Sequence, residues 1–191
     1  FVDKWGSEGS GDGQFNQPRG IAIDNSGFVY VVDQNNHRIQ KFTADGVFIS
    51  WLGKDITGYI GWHDPGSGLS AIEGQEDGAF SFPSEIAIDG NGLVYVTEFW
   101  NDRIQKFTVD WQSVDTWQSY SSANGHFYSP LSIAVDSSGF VYVADAGNHR
   151  IQKFTPDGQF VDKWGSEGSG DGQFNCPFGI VISIGNLVYV V

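Results

Sequence analysis

The chain of 191 residues is 40% hydrophobic and 15% aromatic, which is enough apolar material for a packed core. Ten basic against 23 acidic residues give a net charge of −13. This balance argues against a general nucleic-acid binder, because such proteins need clustered Lys and Arg. Apolar runs all fall well short of the roughly 18 residues that a membrane-spanning helix requires, so we expect no membrane insertion.

Four short segments with strand character follow one another near the start of the chain. All are rich in Val, Ile, Phe, Tyr or Trp and are bounded by Gly, Asp or Asn. They are roughly Gly20–Asp24, Phe28–Val32, Arg38–Thr43 and Val47–Leu52. The intervening sequences, such as DNSG at 24–27 and TADG at 43–46, are typical of tight turns. Helical periodicity is absent, so the sequence predicts antiparallel strands with negligible helix.

The same pattern recurs along the whole chain. Its copies open at Pro18, Pro83, Pro130 and Pro177, spaced 65, 47 and 47 residues apart. Three copies contain the phrase RIQKF, at 38–42, 103–107 and 150–154, and residues 1–16 recur unchanged as 160–175. Four antiparallel strands in about 47 residues match one blade of a β-propeller, with a solenoid of stacked hairpins as the competing all-β architecture.

The pattern resembles the NHL repeat, in the copies NHRI at 36–39 and 148–151. The second copy reads NDRI at 101–104 and departs at the histidine. The resemblance covers nearly the whole chain apart from one insertion, and it implies a propeller, usually of six blades. Three complete blades (18–52, 83–118 and 130–165) and part of a fourth are present. Because six blades need on the order of 280 residues, we expect residues 1–191 to be a piece of a longer ring.

The two ends of the sequence therefore carry a separate expectation. Phe1–Trp5 matches Phe160–Trp164, a fourth strand, but no third strand precedes it in this sequence. Open strand edges invite pairing. We expect Phe1–Trp5 to pair with residues outside this sequence or with a neighbouring copy, so that self-association through the end strands is one predicted property. Closure onto Leu187–Val191 is the alternative.

An insertion of 18 residues, around Lys54–Ala71, lengthens the connection before the second complete blade. Antiparallel strand order places the connections between second and third strands, and those between blades, on one face. Loops on a rigid scaffold usually carry function, and Trp and Tyr dominate interface energetics. We therefore predict a binding face for a protein or a small ligand, with a loop that covers its own blade edge as the alternative role of the insertion. The predicted residues are Tyr59, Trp62, His63, Asp64, Phe99 and Trp100.

Each repeat also places an acidic residue five positions before an arginine. The two flank a short connection, so we expect an ion pair that stabilises the blade, with the intervening Asn capping the turn. A catalytic group is needed once, whereas a structural one is needed in every blade. The predicted structural ion pairs are Asp33 with Arg38, Glu98 with Arg103, and Asp145 with Arg150.

Other chemistry finds little support in the sequence. The spacing of the four histidines does not predict the convergence that zinc requires, and the Gly-rich segments such as 9–13 lack the ligand pattern of a calcium loop. Cys176 stands where the first repeat has Gln17, which favours an incidental substitution over a reactive thiol. We predict no catalytic residue, no metal and no cofactor. The sequence thus favours a non-catalytic binding or assembly module, and the alternative is a lyase-type propeller enzyme with a histidine-bound metal at the ring axis.

RNA binding, as in NHL domains of tripartite-motif proteins, would need a basic face that this composition does not supply. We expect no micromolar complex with single-stranded RNA at about 0.15 M salt. Fluorescence anisotropy of a labelled oligonucleotide, titrated at several salt concentrations, checks this expectation. A salt-dependent micromolar complex would contradict it.

Overall fold

The computed structural model describes residues 4–191, which form strands and turns with two 3₁₀ helices of three residues each, Gln34–Asn36 and Ala146–Asn148. The described chain begins with two short parallel strands, β1 (Ser7–Glu8) and β2 (Gln14–Phe15). The predicted strand Phe1–Trp5 lies mostly outside the described residues.

The first blade is one sheet of six strands. They are β3 (Pro18–Ile23), β4 (Val29–Asp33), β5 (Arg38–Phe42), β6 (Phe48–Asp55), β7 (Ile60–His63) and β8 (Ala71–Ile72). β3 to β7 lie side by side in chain order, with every neighbouring pair antiparallel. β8 pairs with the last two residues of β6.

The second and third blades each contain four antiparallel strands in chain order, and a fourth blade is represented by two. The strands of the second are β9 (Pro83–Ile88), β10 (Val94–Glu98), β11 (Arg103–Phe107) and β12 (Ser113–Gln118). Those of the third and fourth are β13 (Pro130–Val135), β14 (Val141–Asp145), β15 (Arg150–Phe154), β16 (Phe160–Trp164), β17 (Ile180–Ile182) and β18 (Val188–Val190). The predicted all-β architecture of three complete blades and part of a fourth is confirmed.

The second strand of each complete blade is buried on both faces, which explains its Val-Tyr-Val sequence. In β10, Val94 and Val96 pack toward the first blade, whereas Tyr95 packs toward the third. Successive side chains of a strand point to opposite faces, so one strand serves two inter-blade cores. Such a strand needs consecutive apolar residues, whereas a strand with one face in solvent would alternate apolar and polar residues.

Each arginine of the RIQKF phrase joins its own blade to the linker that precedes it. Arg38 Nε donates to Asp33 Oδ2 at 2.8 Å, and its Nη2 donates to the backbone oxygens of Gly11 and Gln14. Arg103 and Arg150 repeat the arrangement with Glu98 and Asp145, each reaching three linker carbonyls. All six side chains are almost completely buried. Charge-assisted hydrogen bonds of this kind satisfy carbonyls that would otherwise be buried without partners.

The glutamine and asparagine of the repeat complete this arginine–carbonyl network. Gln105 Nε2 donates to Glu98 and to Ala79 O, while its Oε1 accepts from Gly78 N. Asn101 Nδ2 donates to Glu98 and to Gly74 O. Equivalent bonds recur in the first and third blades. The asparagine thus ties the acidic residue to the preceding linker, which is more than the cap on its own turn that the sequence predicted.

A second inter-blade bond explains the histidines of the repeat. His37 has a left-handed φ of 51°, and its Nδ1 accepts a hydrogen bond from Phe82 N, the residue before Pro83 of the next blade. His149 accepts likewise from Cys176 N. In the second blade, Asp102 Oδ1 accepts from Ser129 N. Asp tolerates this backbone conformation and offers an acceptor, so the departure from the histidine pattern preserves the bond.

Arg103→Met should lower the free energy of unfolding by about 3–5 kcal/mol, because it leaves the Glu98 carboxylate buried without its cation. Arg103→Lys should be intermediate, since one ammonium group cannot reproduce the guanidinium geometry. Urea unfolding followed by fluorescence measures both. Lys163→Met, at an exposed position of β16, is the charge-matched control, and a loss below about 1 kcal/mol for Arg103→Met would contradict the structural role.

Burial lowers the pKa of His37 from its ordinary value. The unfolded chain therefore binds this proton more readily, so the contribution to stability is present above the unfolded pKa of about 6.5 and is lost as pH falls through the folded pKa. His37→Asn keeps an acceptor at this position but does not titrate. We expect the variant to lose less stability than the original chain between about pH 7 and pH 5, measured by urea unfolding. Identical pH slopes would contradict the assignment.

Candidate functional site

The end of the blades that carries the connections β4–β5, β10–β11 and β14–β15, together with the linkers between blades, is the loop face. Trp100, in the β10–β11 connection, is 64% exposed there. Its ring stacks on Phe82, with centroids 5.1 Å apart, and Phe82 meets the edge of His37 at 4.7 Å. Because His37 also accepts the backbone N–H of Phe82, the residue beneath Trp100 is held on two sides. The result is an exposed indole on a fixed support.

A cavity of about 330 Å³ opens on the same face beside Phe99. Its other lining residues include Tyr128, Leu131, His149 and Cys176. Tyr128 is 42% exposed and meets Tyr120 edge to face at 5.1 Å. The loop face therefore presents a mainly apolar depression bordered by aromatic rings.

The sequence prediction missed both of these tyrosines. Tyr128 occupies the position of Asn16 and Asn175 in the other linkers, counted from the following proline. Comparison of the repeats position by position would have found it, because an aromatic residue stands where two other copies have an amide. The signal in the sequence is thus an asymmetry between the repeats.

Part of the insertion forms an additional strand of the first blade, β7. Its turn lies at the loop-face end of β6, with Tyr59 58% exposed. The chain then runs back as β7 along the outer edge of the first blade. Strand pairing satisfies the backbone groups of the β6 edge, which a projecting loop would leave open. The alternative role, a segment covering its own blade, describes this arrangement.

Two of the predicted binding residues are accordingly used for packing. His63 is buried and stacks on Trp51, with ring centroids 3.7 Å apart. Trp62 is partly buried and contacts the rings of Tyr30 and Trp111. Asp64, which follows β7, is exposed. The six predicted residues thus fall into two groups, Phe99 and Trp100 on the loop face and the insertion residues along the edge of the first blade.

Acidic side chains predominate among the exposed charges of the linkers and connections at the loop face. They are Glu8, Asp12, Glu73, Glu76, Asp77, Glu167 and Asp171. Lys54 is bound to Glu76 in an ion pair, and Arg19 lies over the ring of Phe178 at 5.2 Å. Glu85, on the inner strand β9 beside this ring, is partly buried, and desolvation raises its pKa. The face therefore combines aromatic surface with negative charge.

The four histidines lie in separate parts of the structure and have different contacts. His37 and His149 accept the inter-blade hydrogen bonds, His63 stacks on Trp51, and His126 Nδ1 lies 2.7 Å from Ser121 Oγ. Within residues 4–191 no group of three or more His, Cys, Asp or Glu side chains is placed to hold a metal ion. The lyase-type alternative, which needed histidines gathered around a metal, is not supported.

No helix in the described chain is long and apolar enough to cross a membrane.

The family model of the NHL repeat matches residues 15–42, 80–107 and 127–154. Human E3 ubiquitin-protein ligase TRIM32 is 28% identical over 110 residues, which cover 58% of this chain and 16% of that protein. Protein brain tumor of Drosophila melanogaster is 31% identical over 96 residues, 50% of this chain and 8% of that protein. Protein lin-41 of Caenorhabditis elegans is 52% identical over 46 residues, which cover 24% of this chain and 4% of that protein. The chain thus spans a small part of the length of these relatives.

Solved structures agree in fold. Virginiamycin B lyase from Staphylococcus aureus superposes with a TM-score of 0.57 over 91% of this chain and 55% of that one, at 15% identity. Kuenenia stuttgartiensis hydrazine synthase superposes with a TM-score of 0.57 over 88% of this chain and 40% of that one, at 16% identity. Identities this low show a shared architecture and carry no inference about activity. The chain thus contains three NHL repeats and has the fold of a β-propeller.

Proposed function

We propose that the chain is a non-catalytic module that binds a protein partner on its loop face. The observation that supports this most directly is Trp100, an exposed indole whose supporting ring, Phe82, is fixed by stacking and by a backbone hydrogen bond. Tryptophan is enriched among residues that dominate binding energy, and a fixed ring loses little conformational freedom on binding.

The cavity beside Phe99 complements this exposed ring. Its walls carry aromatic and aliphatic side chains from two connections and the linkers that precede the third and fourth blades, so it spans a seam between rigid blades. A depression of about 330 Å³ is large enough for one apolar side chain of a partner. The proposed binding mode therefore places a partner surface over Trp100 and inserts one side chain beside Tyr128.

The charge of the loop face indicates the kind of protein surface that it would select. Exposed carboxylates dominate its linkers, and the chain as a whole carries −13. Opposite charge accelerates encounter and disfavours partners of like charge. A basic partner surface with an apolar anchor fits this face best.

The relatives are consistent with such a role. TRIM32 is named as an E3 ubiquitin-protein ligase, and an enzyme that acts on other proteins must engage them. The matched segment covers 16% of that protein. The module proposed for this chain would supply recognition, and a catalytic step would belong to other parts of such a protein.

Trp100→Ala should weaken binding of a selected partner by at least tenfold, about 1.4 kcal/mol or more, without lowering the unfolding midpoint. The partner is a small single-domain binder selected from a displayed library against the folded chain, and isothermal titration calorimetry gives its affinity. Tyr128→Ala should weaken the same binder. Val109→Ala removes an exposed apolar side chain at the opposite end of the second blade and should leave affinity unchanged.

Binders that retain their affinity on both Trp100→Ala and Tyr128→Ala would show that the preferred surface lies elsewhere and would contradict the proposal.

Sedimentation velocity on the free chain, run over a range of concentrations, tests the separate expectation of self-association through the end strands.

A further inference from the structure

A second depression lies at the outer rim, between the first and second blades. It has a volume of about 430 Å³. One wall is the inserted strand β7 with Tyr59, and the other is the turn between β11 and β12. We refer to it as the rim groove, and its main lining residues are Leu52, Tyr59, Trp62, Asp77, Phe107 and Trp111.

The groove exists because two neighbouring blades have different numbers of strands. In the first blade, β7 occupies a fifth position beyond β6 and is the edge of the sheet. In the second blade the sheet ends at its fourth strand, β12. β7 therefore projects past its neighbour and leaves a recess between the two. An edge strand also presents backbone N–H and C=O groups along one side, which an additional extended chain can pair with.

The floor of the groove is aromatic and well supported. Trp62 and Trp111 meet edge to face with ring centroids 5.4 Å apart, and Tyr30 lies behind Trp111 at 5.0 Å. Leu52 and Phe107 continue the apolar surface. Tyr59, more than half exposed, stands at the loop-face end. The partly buried ring of Trp62 and the exposed ring of Tyr59 offer apolar surface that the side chains of a bound segment would remove from water.

The polar part of the groove is acidic. Asp77 is exposed and lines it, and among the lining residues that the structure describes no Lys or Arg is present. Asp64 follows β7 directly, and Asp110 directly precedes Trp111. The carboxylate of Asp77 favours a cationic occupant through charge complementarity.

We propose that the rim groove binds an extended basic peptide segment, which adds along the open strand edge and rests its apolar side chains on Trp62 and Trp111. β7 is four residues long, so about 13 Å of strand is available at roughly 3.3 Å per residue. Four residues of alternating basic and apolar character match that length, and a peptide of six covers it with one residue beyond each end. The rim groove is separate from the cavity beside Phe99, since the two share no lining residue.

The test uses a synthetic six-residue peptide, acetyl-KLKLKL-amide, titrated into the 191-residue chain and followed by calorimetry and tryptophan fluorescence. Tyr59→Ala should weaken binding at least tenfold, and Asp77→Asn should weaken it several-fold. Both side chains are exposed, so we expect the variants to fold, and the urea midpoint verifies it. A peptide with proline at the third and fifth positions should bind at least tenfold more weakly, because it cannot donate along the edge.

Matched controls exist elsewhere in the chain. Asp171 occupies the position of Asp77 in the last linker, counted from the following proline, and Tyr120 is an exposed tyrosine on the loop face. Asp171→Asn, Tyr120→Ala and Trp100→Ala should bind the peptide as the original chain does. Equal affinity for acetyl-ELELEL-amide, or loss of binding in Trp100→Ala with Tyr59→Ala unaffected, would overturn the rim groove. Because Trp100→Ala is the variant that tests the loop face, failure of one proposal is distinguishable from failure of the other.

Discussion

The structure depends on one buried interaction, which is repeated in each complete blade. An arginine at the start of the third strand binds the carboxylate at the end of the second strand and the backbone carbonyls of the linker that leads into the blade, as Arg103 does with Glu98 and Ala79. A long irregular linker carries polar backbone groups that cannot be buried alone. By supplying donors to those carbonyls, the arginine allows a Gly-rich connection to pack against the sheet. The RIQKF segment therefore has two roles: it forms the third strand, and its arginine binds the preceding linker through hydrogen bonds.

Function in this chain belongs to the positions where the repeats differ. The elements shared by the blades, namely the arginine, the glutamine, the asparagine and the acceptor at His37, Asp102 or His149, all serve packing between or within blades. Exposed aromatic rings such as Trp100 and Tyr128 occur in single copies. In a repeat protein the same contact between neighbouring units recurs in every repeat, whereas a partner needs to be recognised at one place only. The two proposed surfaces are therefore asymmetric features on a symmetric frame.

The insertion shows how a sequence feature can be located correctly and interpreted only in part. Two roles were open for residues 54–71, a loop on the binding face and a segment covering its own blade edge; β7 pairs with the edge of β6, and His63 is buried against Trp51. Backbone groups at a sheet edge are satisfied by any strand that reaches them, and the pairing competes with exposure of the loop. The consequence for function is indirect. By widening one blade only, the insertion creates the recess in which Tyr59 and Trp62 face Trp111.

The sequence by itself determined the strand pattern, the blade repeat and the partners within each acid–arginine pair, because these depend on local periodicity and on side chains only five residues apart. Strand order also placed Phe99 and Trp100 on the face opposite the tight turns, where Trp100 is exposed and Phe99 lines a cavity. Tertiary structure alone decided which linker carbonyls Arg38 reaches, 24 and 27 residues away, and that His37 accepts from Phe82, 45 residues on. It also decided that the insertion closes an edge and opens a groove. These features arise from how neighbouring blades stack, and no local pattern in the chain encodes the distance between two blades.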